Sequence, residues 1–215
     1  MPIRSIDRFR GARWFAIVCA TSVSLFGQTS PENLPNLAQI AKRSVVTIYA
    51  SGGRGGSLQG SGFFVSSDGL ILTNRHVVEG SATFRVVLYD ETELHDVRLA
   101  YTDKVSDLAL LVAPVSVDDH LPLGNREPQI GEWIFVIGSP LGLSQSVTDG
   151  IVSAVRTVGS RRLIQVTAPI SHGSSGSPVM NSSGVAVGVA TESYVEGQGL
   201  NFAEMTANIA KSSSN

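Results

Sequence analysis

The chain has 215 residues, 42% of them hydrophobic and only 16% charged, so it can bury a substantial core and is not a disordered polymer. Its formal net charge of −2 supplies no basic field, and after the first fifteen residues no run of Lys or Arg interleaved with aromatics appears, which excludes a nucleic-acid partner. Twenty-two glycines predict many turns.

Arg4, Arg8, Arg10 and Arg13 precede the apolar run "WFAIVCATSVSLFG", Trp14 to Gly27, which is short for a membrane span and polar at Thr21, Ser22 and Ser24. Residues 1–27 read as a secretory signal with cleavage near Gly27-Gln28. Leu25 is a poor residue just before that point, so the alternative is an uncleaved N-terminal anchor attaching the chain to the membrane. Cys19 is the sole cysteine, and Val18 stands where lipid attachment wants a small residue. A chain starting at Gln28 would be cysteine-free, more acidic and without disulfides, for which the periplasm or another part of a bacterial cell envelope is the expected location.

Next, "SPENLPNLAQIAKRS" carries Leu34, Leu37, Ile40 and Ala41 at helical spacing and predicts one short amphipathic helix. Strands are predicted at 44–50, 60–66, 70–74, 82–89, 93–101 and 107–113, each short, rich in β-branched or aromatic residues and punctuated by Gly or Asp. Ser67-Asp68-Gly69 marks a hairpin. The glycine-rich 51–62 reads as a flexible hairpin connection and not a phosphate cradle, since no G-K-[ST] follows. A polar, Pro-bearing linker at 114–131 separates this series from a second one at 132–138, 145–155, 162–168, 177–181, 185–191 and 199–205. Twelve short strands without alternating helices predict an all-β fold, either two six-stranded antiparallel barrels (about 44–113 and about 132–205) or a pair of sandwiches. The final "TANIAKSSSN" predicts a short terminal helix, and no repeat period suggests a solenoid.

Efficient attack on a peptide bond needs a nucleophile that loses its proton as it attacks, a neutral imidazole to take that proton, and a carboxylate to hold the imidazole's tautomer. "ILTNRHVVEG" puts His76 at a strand-to-loop corner, "KVSDLALLVA" puts Asp107 at the head of an apolar strand, and "HGSSGSPVMNSSG" contains Ser175 between glycines. An acid beside so apolar a strand needs a partner to offset its desolvation. Gly173 permits a sharp turn in which the N–H groups of Gly173 and Ser175 face one point, an oxyanion hole. The chain order His76, Asp107, Ser175 matches the chymotrypsin-like double barrel; α/β-hydrolases run Ser, Asp, His and want G-x-S-x-G, where Ser177 stands in place of the last Gly.

The blocks "GSGFFVSSDGLILTNRHVVEG", "DLALL", "VIGSPLGLSQSVTDGIVSAVR", "GSSGSPVMNSSGVAVGV" and "LNFAEMTANIAK" resemble, in order, those of the HtrA (Deg) family of trypsin-like serine proteases, over nearly all of residues 32–211. The resemblance implies a double six-stranded antiparallel β-barrel with short N- and C-terminal helices. It implies His76 as general base and then acid, Asp107 as the orienting carboxylate, Ser175 as nucleophile, and backbone donors at Gly173 and Ser175. It also implies a substrate slot for small aliphatic side chains lined by Ile170, Phe202 and Ala203, with unfolded polypeptides as substrates and no cofactor or metal.

Three departures stand out. Ser174 and Ser177 replace the family's usual Asn and Gly in G-N-S-G-G-P, and Pro178 implies that the loop tolerates Ser177. The family's C-terminal PDZ domain has no counterpart. The aromatics that brace its trimer are missing from Gln28 to Ile48, so a homo-oligomer is an open alternative and the family's trimer is not implied. The rival reading is a catalytically silent or resting-inactive barrel that binds unfolded chains as a holdase or scaffold. Among rival residues, Asp103 reads as a solvated turn acid, Ser171, Ser174 and Ser177 lack the Gly two places before and one place after that Ser175 has, and His95, His120 and His172 have no zinc-like spacing.

Overall fold

Short alternating segments cannot bury an apolar face alone, so they pair, and the chain forms two consecutive antiparallel sheets. A computed structural model describes residues 33–53, 56–139, 145–171, 173–191 and 201–207. The predicted first twenty-seven residues, His172 and the predicted terminal helix beyond Ala207 lie outside these.

Helix α1 spans Leu34–Ser44, with Pro35 in its first turn and Lys42 and Arg43 in its last, where cations suit the helix dipole. Ala38, Ala41 and Ser44 are its buried residues, and Leu34 and Leu37 pack beside them. Ile40, expected on the apolar face, is 61% exposed. The helix therefore rests its small residues on the core, which lets it lie close to the sheet.

The first half contains β1 (Val45–Gly53), β2 (Gly56–Phe64), β3 (Leu70–Asn74), the four-residue helix α2 (Arg75–Val78), β4 (Thr83–Val87), β5 (Glu93–Leu94), β6 (Arg98–Asp103) and β7 (Leu108–Val112). These strands form one seven-stranded sheet in the order β5-β4-β1-β2-β3-β7-β6. Two expectations change here. The predicted strand 93–101 divides, because Leu94 pairs with Val86 of β4 while Arg98 pairs with Val112 of β7, and Val97 between them is buried in the core. The hairpin connection expected at 51–62 is mostly strand, with β1 and β2 paired out to Gly53 and Gly56.

After the linker come β8 (Trp133–Gly138), β9 (Ser146–Val158), β10 (Arg161–Val166), β11 (Pro178–Asn181), β12 (Ala186–Thr191) and β13 (Asn201–Met205). They close into a six-stranded barrel in the order β10-β13-β12-β11-β8-β9. Among the described residues the second half is closed, and the first is a half-barrel whose edges are β5 and β6. Glu132 secures the linker, accepting from both Arg126 terminal nitrogens, from the Gln129 N–H and from Asn181. Burial opposes its ionisation, yet these hydrogen bonds hold it below the ordinary carboxylate value.

Three apolar clusters follow from the pleat. One fills the concave first sheet around Ile48, Phe64, Ile71 and Leu111, and another fills the closed barrel around Ile134, Val152, Ile164 and Val179. The third lies between the halves, where Phe63 and Leu72 of the first meet Phe135, Met180 and Val189 of the second. This shared core fixes the ends of β3 and β7 against the loop that precedes β11.

Candidate active site

His76 is the second residue of α2, directly after β3. Asp107 directly precedes β7, the partner of β3 in the register Asn74↔Leu108. Asp107 has φ 51°, a left-handed conformation that Asp tolerates better than most residues. That turn directs both its carbonyl and its carboxylate at the start of α2. The Asp107 carbonyl accepts from the Arg75 N–H at 2.8 Å and from Asn74 Nδ2 at 3.2 Å. Its Oδ1 accepts from the His76 N–H at 3.2 Å, and its Oδ2 lies 2.6 Å from His76 Nδ1. A carboxylate there keeps the ring proton on Nδ1 and leaves Nε2 with a free lone pair, the form a base requires.

Ser175 lies in the loop before β11. The Ser61 N–H donates to the Ser175 carbonyl at 2.8 Å. A Cβ on Gly60 would stand 2.7 Å from Val77 Cγ1 and 3.1 Å from that same carbonyl, so the residue after His76 and the backbone of Ser175 face each other across Gly60. The structure thus joins His76 to Asp107 and places the Ser175 carbonyl across Gly60 from Val77, the residue after His76. Ser175 Oγ itself makes no hydrogen bond to His76 or to any other described residue.

Gly176, at φ 90°, needs its missing side chain: a Cβ would collide with the Ser61 carbonyl and the Thr73 hydroxyl. Around it the backbone donors are mostly spent. The Ser174 N–H bonds Ser171 O at 2.9 Å, the Gly176 N–H bonds Ala190 O at 2.9 Å, and the Ser177 N–H bonds Ser174 O at 3.0 Å. The N–H groups of Gly173 and Ser175 have no acceptor among the described residues. Ser177 keeps an ordinary negative φ, and its side chain fits because its Oγ occupies the space over Gly138. That hydroxyl is buried and has no partner among the described residues.

Of the residues expected to line a substrate slot, Ala203 belongs to the apolar cluster of the closed barrel and Ile170 packs against it. Phe202, one residue away on β13, lies on the other face of that strand, in register with Thr191 and Gln165. Among the rivals, Asp103 closes the turn before Asp107, accepting from the Val105 N–H at 2.8 Å and from Ser106 Oγ at 2.7 Å. His95 is exposed near Glu93, and Ser174 Oγ lies 3.5 Å from Ser171 Oγ.

Three residues passed over in the sequence matter here. Asn74 braces the Asp107 carbonyl, and its only sequence signal is its place two residues before His76. Ser61 touches the Ser175 loop from "GSGFF". Glu204, an acid inside the apolar "NFAEM", is completely buried on β13 and paired with Arg161, whose Nε lies 2.9 Å from its Oε1. Burial pushes its carboxyl up to about 7; Arg161 opposes this through hydrogen bonding and charge, while the charges of Asp107 and Asp103 add to it.

Residues 60–189 match the family model of the trypsin-like peptidase domain. The chain is 41% identical over 182 residues to a Pseudomonas fulva protein named a probable periplasmic serine endoprotease, DegP-like, covering 79% of this chain and 38% of that one. A Rhizobium meliloti protein of the same name is 40% identical over 143 residues, 62% of this chain and 27% of that one. The chain therefore spans well under half the length of these relatives. The crystal structure of the serine endoprotease from Yersinia pestis superposes with a TM-score of 0.74 at 31% identity, covering 86% of this chain and 67% of that one.

Proposed function

From a chain that belongs to the trypsin-like peptidase family, with serine proteases of the HtrA/DegP type as its relatives, we propose a serine endopeptidase that works through His76, Asp107 and Ser175. The observation that carries this reading is the 2.6 Å contact of His76 Nδ1 with the Asp107 carboxylate, beside a loop that leaves the Ser175 hydroxyl and two N–H groups unengaged. In the first step His76 Nε2 takes the Ser175 proton as Oγ attacks the substrate carbonyl. The negative charge that develops on the carbonyl oxygen is received by the N–H groups of Gly173 and Ser175. His76, now an imidazolium stabilised by Asp107, protonates the leaving amine. Water activated by His76 then hydrolyses the acyl ester.

The free Ser175 hydroxyl does not count against this scheme, since such hydrogen bonds commonly tighten only when substrate is bound. The substrates we propose are unfolded or damaged polypeptides, cut after small aliphatic side chains that an apolar wall near Ile170 and Ala203 would accept. The proposed location is the periplasm or the bacterial envelope, as the relatives' names say of those proteins.

Labelling with a fluorophosphonate, with and without an unfolded protein such as casein, tests the reading by mass spectrometry. An adduct on Ser175 and loss of casein hydrolysis in Ser175→Ala are expected. No adduct under either condition would replace the peptidase by a silent barrel that binds unfolded chains.

A further inference from the structure

Ser61, on β2 of the first half, is fully buried with every polar atom bonded, its N–H and its hydroxyl proton to the Ser175 loop. Its N–H donates to the Ser175 carbonyl at 2.8 Å, and its Oγ donates to the Gly173 carbonyl at 2.8 Å. The same Oγ accepts from the Ser139 N–H at 3.2 Å, while its carbonyl accepts from Thr73 Oγ1 at 2.7 Å.

The consequence lies in which peptide units these bonds hold. The unit joining residues 173 and 174 is held at both ends, its carbonyl by Ser61 Oγ and its N–H by Ser171 O. The unit joining 175 and 176 is likewise held at both ends, its carbonyl by the Ser61 N–H and its N–H by Ala190 O. Between them the unit joining 174 and 175 is held only through its carbonyl, by the Ser177 N–H, and its own N–H is the free Ser175 donor. A peptide plane between two clamped neighbours has little freedom to rotate.

We infer that Ser61 is a positioning residue for the reaction: its hydroxyl and N–H clamp the peptides flanking the 174–175 unit and keep the Ser175 N–H aimed at the developing oxyanion. This rests on the endopeptidase reading above. The backbone bond survives any substitution short of proline, so the hydroxyl is the part that mutation can isolate. Its loss frees the Gly173 carbonyl and strands the Ser139 N–H, while deleting no group that itself meets substrate.

The test compares wild type, Ser61→Ala and Ser61→Cys by steady-state kinetics on a fluorogenic peptide and by inhibition with a peptide boronate, whose tetrahedral oxygen occupies the oxyanion position. For Ser61→Ala, kcat is expected to fall about 10- to 100-fold with KM changed by less than about twofold, and boronate affinity to weaken by the same factor as kcat. Ser61→Cys, retaining a weak donor, is expected to recover part of both. A purely structural role would lower stability and leave kcat and boronate affinity unchanged in the folded fraction. That result, or a change confined to KM, overturns the inference; should Ser61→Ala not fold, Ser61→Cys against wild type decides by the same two readouts. Wild type that takes no fluorophosphonate adduct would sink the peptidase reading and this one with it. Normal labelling of wild type with unimpaired Ser61 variants would sink this one alone.

Discussion

Replacing Glu204 by Gln should make the protein's stability less sensitive to pH, by an amount the structure sets. The carboxyl has no accessible surface; Oε1 is bonded to Arg161, and Oε2 is buried with no partner among the described residues. Burial raises it from 4.5 to about 7 against the pull of Arg161. Between those values the native state keeps the proton that the unfolded chain has released, so the native state binds more protons and loses stability as pH rises. Above 7 both states are ionised and the loss is complete. The interval corresponds to about 3 kcal/mol, accumulating at up to ~1.4 kcal/mol per pH unit. Gln keeps the shape but does not titrate, so the stability difference between variant and wild type should grow in the variant's favour by about 3 kcal/mol from pH 4.5 to about 8. Urea unfolding of both proteins in a Ser175→Ala background, which prevents self-cleavage, measures it while other titrating groups cancel. A difference constant to within about 0.5 kcal/mol would refute the reasoning and mean that Arg161 outweighs burial at this site.

Asp107→Asn preserves the left-handed backbone, which Asn also tolerates, but removes the carboxylate that holds the His76 tautomer; kcat should fall on the order of 10³–10⁴ with the far-ultraviolet spectrum unchanged, and a loss below about tenfold would argue against its role. Gly176→Ala places a methyl against the Ser61 carbonyl at φ 90°, so the urea midpoint should reveal a loss of about 3 kcal/mol or more, and wild-type stability would show that the loop is not held as described. Ser177→Ala deletes a buried hydroxyl without a partner among the described residues and should stabilise the fold by about 1 kcal/mol with casein cleavage retained; destabilisation would mean the hydroxyl has a partner after all.

Strand positions were largely legible because the pleat imposes a period of two on local residues: the strand expected at 70–74 is β3, Leu70–Asn74. What failed did so for want of partners. The segment 93–101 carries one continuous β-like pattern, yet its two ends pair with different strands and it must break at Val97. Ile40 has the right spacing for a buried face, but the sheet under α1 accepts Ala38 and Ala41 instead. Nor does any local pattern say that β5 and β6 remain edges while β9 and β10 close a barrel. At the candidate site, His76, Asp107 and Ser175 stood out through chemistry and immediate context, whereas Ser61 and Glu204 looked like ordinary strand residues.

Residue chemistry and backbone preference travel with the chain, which is why the candidate side chains, the turn glycines and the order of strands stand out in one dimension. Hydrogen bonds and charges instead depend on distance in space. The bond from Ser61 to Gly173 spans 112 positions, and the burial of Glu204 exists only once β10, β12 and β13 have paired around it. Whether a hydroxyl clamps a loop, or a carboxyl keeps its proton near neutrality, is settled by which distant segments folding presses together, and no stretch of sequence holds both halves of such a contact.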